Sequence, residues 1–404
     1  MKKFVFFTFS DFSSDGGGRV RIYGILNALA DRGDDILLIS NSPKNNIKFH
    51  NAIKHQQLKF SISDTQKKIF QFLLALFPNF INRWLFSRYL KNFQKNIPKT
   101  MREEIIFCEY LDNSFGYFLY KNGLIKNYIN DIHGIAPLEF KNNKTKGIKK
   151  IYNLLRYKVA LLLDTKVMYE AKKVIVVSKA MEEYFLKKYS FLMKKTVIIP
   201  DGISYEFCSQ KINYTLLSSL KKKYKSDNKK IIFFAGNFKD LGGVLDLLYA
   251  FISLLKKQND IKLFLIGDGE HFENAKKITK NTELGSLVYF IGRVSYSELK
   301  TYQQLADVIV CPDKQHPYSN LIIHIKYFDS LASNKIVING SFDSTKDINK
   351  DEKLSINFKP SDINDLAHKL NYVLNNQAQL KIKYKNNAHI ICKNYTYQNS
   401  IKGF

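Results

Sequence analysis

Two Rossmann-like α/β domains, each with a doubly wound parallel sheet and together facing a central cleft, are the fold class that this sequence predicts. A chain of 404 residues is too long for one ordinary hydrophobic core, so two domains of about 200 residues are expected. Apolar strands alternate with amphipathic helices, and the alternation begins again after "PDGIS" at residues 200–204. We therefore expect a first domain at residues 1–203 and a second domain that begins at residue 204.

The chain opens with a strand, a glycine-rich loop, a helix and a second strand. Phe4–Phe9 is a short apolar run typical of a buried parallel strand, and Gly16–Gly18 follow it. Gly33 marks the end of the helix, and Asp35–Ser40 is the next strand. Apolar residues at helical spacing predict the helix: Ile22, Ile25, Leu26 and Leu29. Glycines at this turn allow a ligand to approach the main chain, and the helix N-terminus favours an anion.

This glycine loop does not match a nucleotide-binding fingerprint. The pattern GxGxxG would need glycine at position 21, where the chain has Arg21, and no Walker lysine follows. A tight turn that binds nothing also explains three glycines. The loop by itself therefore identifies no chemistry.

The rest of the first domain is interrupted by an insertion. Residues 60–100 are rich in Phe, Leu, Lys and Asn, and their helical periodicity predicts inserted helices. The other predicted elements are strands at Glu104–Asp112 and Asn127–Gly134, a helix in 141–173, a strand and Ser-capped helix in Lys172–Tyr189, and a strand in Lys194–Ser204. The second of these strands ends in Asp131-Ile-His133-Gly134, which places a histidine at the edge of the sheet.

The second domain repeats the α/β pattern. Its predicted elements are strands in Lys229–Phe238, Ile261–Glu270, Leu287–Ser295 and Ala306–Pro312, a helix at Gly243–Lys257, and a helix followed by a strand in Asn320–Gly340.

The chain carries a large positive charge. Its 63 Lys and Arg residues against 36 Asp and Glu give a formal net charge of +27. Nucleic acid, anionic lipid or an anionic substrate would each account for this charge, and so would a general compositional bias towards Lys and Asn. No finger, helix-turn-helix or RNP pattern is present, so we expect no nucleic-acid partner.

The sequence shows no recognisable signal peptide, membrane span or cysteine motif, and these features bear on the expected compartment. No signal peptide is recognisable, and the most apolar segment, 69–86, is interrupted by polar residues and a proline, so we expect no membrane span. The four cysteines lack CxxC or CxxH spacing, and we therefore expect a reducing compartment with neither a zinc site nor a disulfide framework: Cys108, Cys208, Cys311 and Cys392.

Six segments in order and spacing resemble one family, the retaining GT-B glycosyltransferases of group 1, numbered family 4. They are "GGGRVRIYGILNALADRGDDILLIS", "VIVVSKAMEEYFLKKY…KKTVIIPDGIS", "FFAGNF…GGVLDLLYAF", "LFLIGDGE", "VYFIGRVSYSELKTYQQLADVIVCP" and "IKYFDSLASNKIVI". The resemblance covers nearly the whole chain and is weakest over residues 45–105. It implies GT-B architecture, with an acceptor-side first domain, a nucleotide-sugar-binding second domain at residues 204–385 and a short crossover tail at residues 386–404 that packs back on the first.

The resemblance also implies a function. The expected reaction moves a sugar, with retention, from a nucleotide-diphosphate sugar to a glycan or lipid-linked acceptor in bacterial surface polysaccharide synthesis. No metal or other cofactor is expected, because cations and helix dipoles stabilise the leaving diphosphate. The expected location is cytoplasmic, on the inner face of the cell membrane.

The resemblance places four residues in the site. Gly17 and Gly18 match the glycine loop, whose main chain meets donor and acceptor in the family. His133 matches a histidine at the reaction centre beside the transferred sugar, and imidazole suits hydrogen bonding to sugar hydroxyls. Asp329 matches the second glutamate of a Glu-x7-Glu motif that holds the nucleotide ribose, whereas Leu321 replaces the first.

The expected diphosphate clamp departs from the family pattern. Many relatives have Arg and Lys where this chain has Asn237 and Gly242. We expect Asn237 to remain at the site, and the nearest candidate cations are Lys239, Arg293 and Lys326. A helix N-terminus near Ser319–Leu321 would add main-chain donors to the phosphates. These departures leave two alternatives open, a non-catalytic GT-B partner subunit and a GT-B-fold nucleotide-sugar epimerase.

The inserted segment 66–95 predicts a membrane-docking surface. It combines apolar side chains with cations: Phe70, Phe72, Leu73, Phe77, Phe80, Trp84, Leu85 and Phe86 with Lys67, Lys68, Arg83, Arg88, Lys91 and Lys95. Such a mixture suits the boundary between headgroups and acyl chains of an anionic bilayer. An ordinary helical pair that buries these aromatics in its own core is the alternative.

Overall fold

The computed structural model divides the protein into two compact units. It describes residues 1–12, 17–43, 50–141, 147–224, 229–280 and 283–404. The first unit comprises Met1–Asp201 with Ser400–Phe404, and the second comprises Gly202–Asn399. Gly16, part of the predicted glycine loop, lies outside the described residues.

The first unit is an α/β domain whose elements follow the predicted order. They are β1 (Lys3–Phe7), α1 (Gly17–Asp31), β2 (Asp35–Ser40), β3 (Ile53–Gln57), α2 (Asp64–Leu76), α3 (Asn79–Leu85), α4 (Ser87–Asn96), β4 (Glu104–Phe107), α5 (Tyr110–Lys121), β5 (Asn127–Ile132), α6 (Ala136–Lys141), α7 (Ile148–Glu170), β6 (Lys173–Val176), α8 (Lys179–Lys188) and β7 (Thr196–Ile198). Strand β3 was not predicted, because its sequence, IKHQQ, is largely polar and only half-buried.

Within the described residues, the first sheet has seven parallel strands in the order β3-β2-β1-β4-β5-β6-β7. The chain order reverses between β1 and β4, which is where doubly wound sheets open a crevice at their carboxyl edge. Aromatic rings fill the core beneath this point. Phe7 lies 5.2 Å from Phe107 and 5.4 Å from Phe115 between ring centroids. These contacts fix β1 and β4 against α5.

The insertion forms three helices, not a pair. Helix α2 begins with a capping box in which Ser63 and Gln66 each bond the other's main chain. Phe70 and Phe93 are fully buried, whereas Phe80 and Trp84 remain 72% and 77% exposed. The insertion therefore contributes to the core on one side and leaves large apolar groups uncovered on the other.

The second unit repeats the fold with one strand fewer. Its elements are α9 (Tyr205–Ser209), α10 (Tyr214–Lys223), β8 (Lys230–Ala235), α11 (Val244–Leu255), β9 (Ile261–Ile266), α12 (Phe272–Lys280), β10 (Val288–Gly292), α13 (Tyr296–Gln303), β11 (Val308–Cys311), α14 (Ile325–Ala332), β12 (Ile336–Gly340), β13 (Ile356–Phe358), α15 (Ile363–Asn375), α16 (Gln377–Lys383), α17 (Asn387–Asn394) and α18 (Tyr397–Ser400). Among described residues, six parallel strands run in the order β10-β9-β8-β11-β12-β13, so the reversal falls between β8 and β11.

The C-terminal segment differs from the expected crossover tail. We expected residues 386–404 to pack back on the first domain, but α17 packs against α14 within the second unit. Only Ser400–Phe404 joins the first unit, where Phe404 stacks on Phe4 at 5.3 Å. Apolar residues of α17 such as Ile391 complete the core around α14, which holds this helix in the second unit.

The expectation of no disulfide is wrong. Cys208 of α9 and Cys392 of α17 form a disulfide across 184 residues of sequence. Spacing along the chain gave no sign of it, because the two cysteines meet only when α9 and α17 pack together. Cys108 and Cys311 are free and buried.

Candidate active site

The carboxyl edge of the first sheet gathers polar residues beside the reversal point. Ser10 follows β1, Glu109 follows β4, and His133 follows β5. The Ser10 hydroxyl donates to Glu109 Oε1 at 2.8 Å. These residues come from separate strands, and parallel strands present their carboxyl ends at one edge. The first turn of α1 lies at the same edge.

Gly18 is the position where α1 approaches this cluster. A Cβ at Gly18 would lie 3.0 Å from His133 Nε2 and 3.4 Å from Glu109 Oε1. The first distance is tighter than an ordinary contact, so glycine is what allows the imidazole to lie against the helix. The structure thus brings together two of the predicted site residues, Gly18 and His133. Gly17 begins α1 beside them, and its contact with substrate stays a prediction.

Arg21 lies one turn further along α1 and is completely buried. Its Nε and Nη2 donate to Asp131 at 3.1 and 2.8 Å. Its Nη1 donates to Asp201 at 3.0 Å and to the Ile199 carbonyl at 2.9 Å. The guanidinium therefore joins α1 to the end of β5 and to Asp201, at the end of the Met1–Asp201 segment of the first unit. Planar, bidentate pairing is what arginine does best in a buried site.

Charges around His133 favour its protonated form. Burial lowers the pKa of His133, but the carboxylate of Asp131, whose Oδ2 lies 3.9 Å from Nδ1, raises the pKa above its usual value. That distance exceeds a hydrogen bond, so the attraction is ionic. Burial likewise opposes ionisation of Asp131, but Arg21 outweighs it and lowers the pKa of Asp131 to about 2. Asp131 is therefore charged at neutral pH.

Two further carboxyls near this cluster behave differently. Burial raises the pKa of Asp112 well above its usual range, although Asp112 accepts a hydrogen bond from the Phe9 main chain at 3.0 Å. Burial also raises the pKa of Asp201, with Arg21 opposing the change. Asp131 is therefore the carboxyl of this group whose ionised form is most strongly favoured.

The carboxyl edge of the second sheet is built from closely packed main chain. At Gly243, the φ of +67° suits glycine, and a Cβ would lie only 1.7 Å from the Pro312 carbonyl oxygen. At Gly267, with φ of +125°, a Cβ would lie 1.9 Å from the Gly236 carbonyl oxygen. The loops after β8, β9 and β11 thus touch at the reversal point, and side chains other than glycine are excluded there.

Lys326 is the predicted cation that lies closest to these glycines. Its Nζ donates to Asp313 Oδ1 at 2.7 Å and lies 5.4 Å from the centroid of the Phe234 ring. A Cβ at Gly236 would lie 3.5 Å from its side chain. Asp313 is buried, and its second oxygen has no hydrogen-bond partner among the described residues. Asp313 thus holds the ammonium group at the end of β8.

The other predicted clamp residues are spread over neighbouring loops. Asn237 and Lys239 are exposed after β8, and a Cβ at Gly269 would lie 2.5 Å from Asn237 Oδ1. Arg293 is exposed after β10, with its Nε 4.0 Å from Asp268. At Gly242, a Cβ would lie 2.7 Å from the Asn237 carbonyl oxygen, so this turn has no room for the lysine of relatives. The role of each in binding stays a prediction.

Ser319 does not lie at a helix N-terminus. Helix α14 begins at Ile325, with His324 as its N-cap, so the expected start near Ser319–Leu321 is wrong. Residues 317–321 form turns, since their polar sequence supports no helical periodicity. Ser319 is buried, and its hydroxyl has no hydrogen-bond partner among the described residues. The main-chain N–H groups at the start of α14 therefore lie near Ile325 and not near Ser319.

Asp329 lies within α14 and already has a partner. The Tyr296 hydroxyl donates to Asp329 Oδ1 at 2.8 Å. Burial raises the pKa of Asp329 to about 7, against which the Tyr296 hydrogen bond acts. The side chain is one methylene shorter than the glutamate of relatives, and it points to α13. Its expected contact with ribose stays a prediction.

Sequence reasoning missed Arg21, Glu109 and Asp313 as parts of the site. Arg21 carried a usable signal, because it occupies the same helical stripe as Ile25 and Leu29, where a charge is buried only with partners. Asp313 directly follows the predicted strand Ala306–Pro312, and Glu109 lies in the last part of the predicted strand Glu104–Asp112, beyond the observed end of β4 at Phe107. The carboxyl ends of strands are also where ligands bind in α/β sheets.

Two family models match the chain, one on each half. The model described as Glycosyltransferase Family 4 matches residues 15–207, and the model described as Glycosyl transferases group 1 matches residues 218–390. The chain is 28% identical over 155 residues to the alpha-monoglucosyldiacylglycerol synthase of Streptococcus pneumoniae, a match that covers 38% of this chain and 34% of that protein. The chain spans 24 to 38% of the length of the curated relatives it matches.

Solved structures share the fold of the whole chain. Sucrose-phosphate synthase from Thermosynechococcus elongatus superposes with a TM-score of 0.75 at 16% identity, covering 99% of this chain and 96% of that one. Anabaena HepE in complex with UDP-glucose superposes with a TM-score of 0.71 at 15% identity, covering 98% and 97%. The predicted GT-B fold of two Rossmann-like domains is thereby confirmed, and the expected cleft between the domains stays a prediction. With one family model on each half, the protein belongs to the group 1, family 4 glycosyltransferases.

Proposed function

We propose that this protein transfers a sugar, with retention, from a nucleotide-diphosphate sugar to a lipid-linked or glycan acceptor. The second unit takes the donor and the first unit supplies the acceptor side. The proposed setting is bacterial surface polysaccharide or glycolipid synthesis at an anionic membrane surface. Family membership and the UDP-glucose complex of the similar HepE support this assignment.

The observation that carries the proposal is the glycine-lined edge of the second sheet with Lys326 beside it. Gly243 and Gly267 let the loops after β8, β9 and β11 pack main chain against main chain, and Lys326 lies beside Gly236 at this edge. A diphosphate needs main-chain donors together with positive charge. Lys326 supplies the charge, and buried Asp313 fixes its direction. In the reaction, such a cation stabilises the diphosphate as it leaves the sugar.

The first unit provides the groups that would meet the sugar. When protonated, His133 can donate from both ring nitrogens, and Glu109 can accept from hydroxyls. Both side chains lie beside Gly18, which has no side chain of its own. We assign His133 to the reaction centre because its Nε2 lies beside Gly18 in the first turn of α1.

The proposed acceptor location rests on the exposed apolar face of the first unit. Helices α2 and α7 pack together, and each carries a row of exposed apolar residues. These are Ile69, Phe72 and Leu76 on α2 and Ile151, Leu155, Leu162 and Tyr169 on α7, with Phe80, Trp84 and Leu85 on α3. Exposed Lys68, Arg83, Arg88, Lys91 and Lys95 accompany them. Large uncovered apolar groups beside cations suit an anionic bilayer surface. Among the described residues, no helix has the length and hydropathy needed to cross a bilayer.

Slow hydrolysis of a panel of nucleotide-diphosphate sugars tests the proposal. The native protein is expected to hydrolyse at least one donor, and Lys326→Ala is expected to weaken its binding by roughly 1.5–3 kcal/mol, since a charge-assisted contact is lost. His133→Ala should lower turnover more than donor affinity. Lys257→Ala, at an exposed position after α11, is the matched control and should change neither. Hydrolysis of no donor by the folded native protein would contradict the proposal.

The turn at Asn237 and Gly242 favours one second candidate, a non-catalytic partner subunit. That turn excludes the lysine of relatives, and Leu321 replaces a family glutamate. A partner subunit would bind a nucleotide sugar without hydrolysing it. Calorimetric binding of a donor with no detectable turnover would therefore select this candidate over the transferase.

A further inference from the structure

The Arg21–Asp131 pair is buried at the carboxyl edge of the first sheet and is held by several hydrogen bonds. Arg21 and Asp131 are 1% and 3% exposed, and they share two hydrogen bonds in a planar fork. Asp201 and the Ile199 carbonyl satisfy the remaining side of the guanidinium. Both carboxylate oxygens of Asp131 therefore accept a hydrogen bond from Arg21. Rotation of the carboxylate would break these buried, charge-assisted hydrogen bonds.

His133 lies beside the Asp131 carboxylate that Arg21 holds. Its Nδ1 is buried, has no hydrogen-bond partner among the described residues, and lies 3.9 Å from Asp131 Oδ2. Its Nε2 lies on the other side of the ring, next to Gly18. The ring is therefore placed between a fixed carboxylate and the start of α1.

We propose that Arg21 and Asp131 are positioning residues for His133, which orient its imidazole and keep a proton on Nδ1 so that Nε2 faces the substrate side. The assignment of His133 to the reaction centre rests on the proposed function, whereas the orientation of the ring does not. Arg21 fixes the carboxylate, and the carboxylate attracts Nδ1–H. In the neutral imidazole, this leaves Nε2 as an acceptor; in the protonated form, Nε2 becomes a donor.

The surrounding charges identify Asp131 as the group that matters. Besides Asp131 and Arg21, the charged or titratable groups that act on His133 are Glu109 after β4, Asp112 of α5 and Asp201 after β7. Burial raises the pKa of both Asp112 and Asp201, and Glu109 is half-exposed. Arg21 opposes protonation of His133. Asp131 thus supplies the principal stabilising charge, with Glu109 second.

Nitrogen NMR of the full-length protein labelled at histidine tests this directly, without donor or acceptor. His133→Gln assigns the His133 signals. The native His133 is expected to titrate above 6.5, the usual midpoint, and its neutral form is expected to carry the proton on Nδ1. A neutral form protonated on Nε2, or a midpoint at or below 6.5, would overturn the proposal.

Three variants separate positioning from general structural support. Asp131→Asn is expected to lower the midpoint by about one unit or more and to release the tautomer preference. Asp201→Asn is the matched control, since it also removes a buried partner of Arg21, and it should shift the midpoint much less. Glu109→Gln, at a half-exposed position, should give a small downward shift even where Asp131→Asn does not fold. Equal effects of Asp131→Asn and Asp201→Asn, or no shift in Glu109→Gln, would overturn the assignment.

Failure of this inference and failure of the proposed function are distinguishable. An elevated midpoint with the Nδ1 proton, together with no hydrolysis of any donor, supports the positioning and rejects the transferase. Hydrolysis that persists while His133 titrates normally and carries its proton on Nε2 supports the transferase and rejects the positioning.

Discussion

Replacing Asp329 with Asn should stabilise the protein at neutral and higher pH. Asp329 is 4% exposed, it forms no salt bridge with any residue in the part of the chain that the structure describes, and it accepts a hydrogen bond from Tyr296. The asparagine oxygen can accept the same hydrogen bond without carrying a charge. Asp329→Asn therefore removes the cost of burying an unpaired carboxylate and retains the contact between α13 and α14.

The raised pKa fixes the sign and the pH window of this effect. In the folded protein the pKa of Asp329 is about 7, against an ordinary value of 3.8. The protonated form is favoured by folding, so the stabilising contribution is complete below pH 3.8 and is lost as the pH rises through 7. At about 1.36 kcal/mol per unit, the full penalty above pH 7 is on the order of 2–4 kcal/mol. The gain in Asp329→Asn should therefore grow from about pH 4 to about pH 7 and then level off.

Scanning calorimetry at about pH 4.5 and about pH 8 measures this difference. Fluorescence is unsuitable, because the chain has one tryptophan, Trp84, and it lies in the first unit. Asp313→Asn is the control: it is equally buried but is paired with Lys326, so it should destabilise at about pH 8. A gain in Asp329→Asn that is the same at both pH values would refute the reasoning. If Asp329 also contacts ribose, the stabilised variant should bind donor more weakly by calorimetry.

Three further changes follow from other parts of the structure. Gly18→Ala should lower donor turnover without unfolding the protein, because a Cβ would lie only 3.0 Å from His133 Nε2. Gly285→Ala is the control, since no atom lies within 4 Å of a Cβ at that position, and equal turnover in the two variants would count against the site. Cys208→Ser should lower the free energy of unfolding by about 2–5 kcal/mol in oxidising buffer, since the disulfide closes a long loop. Adding Cys392→Ser should lower it no further, and an additional loss of stability in the double variant would argue against the disulfide. Anionic vesicles should shift Trp84 emission to the blue, and Glu at Lys67, Lys68, Arg83 and Arg88 should abolish the shift; a shift equally large with neutral vesicles would exclude electrostatic docking.

Hydrophobic periodicity predicted most of the strands and helices but few of the side-chain contacts within the candidate site. The strands at Asp35–Ser40 and Ile261–Ile266 were predictable because buried parallel strands are short, continuous apolar runs. Strand β3 was not, because half-buried edge strands carry polar residues. The position of His133 at the sheet edge could be predicted because it follows a strand. The neighbouring pair of Arg21 and Asp131 could not, because these two residues lie 110 positions apart along the chain. Spacing within one element cannot reveal a charge pair between elements, and the disulfide escaped for the same reason.

The docking of Ser400–Phe404 on the first unit has a consequence for the order in which the protein is assembled. Phe404 stacks on Phe4, and Arg32 donates to the Ile401 carbonyl at 3.0 Å. During synthesis, the first sheet is complete when Ile198 has emerged, yet this part of β1 and α1 waits for about 200 more residues. Nascent chains stopped near residue 201 should therefore expose Phe4 to chaperones and proteases, and release of the last five residues should bury it.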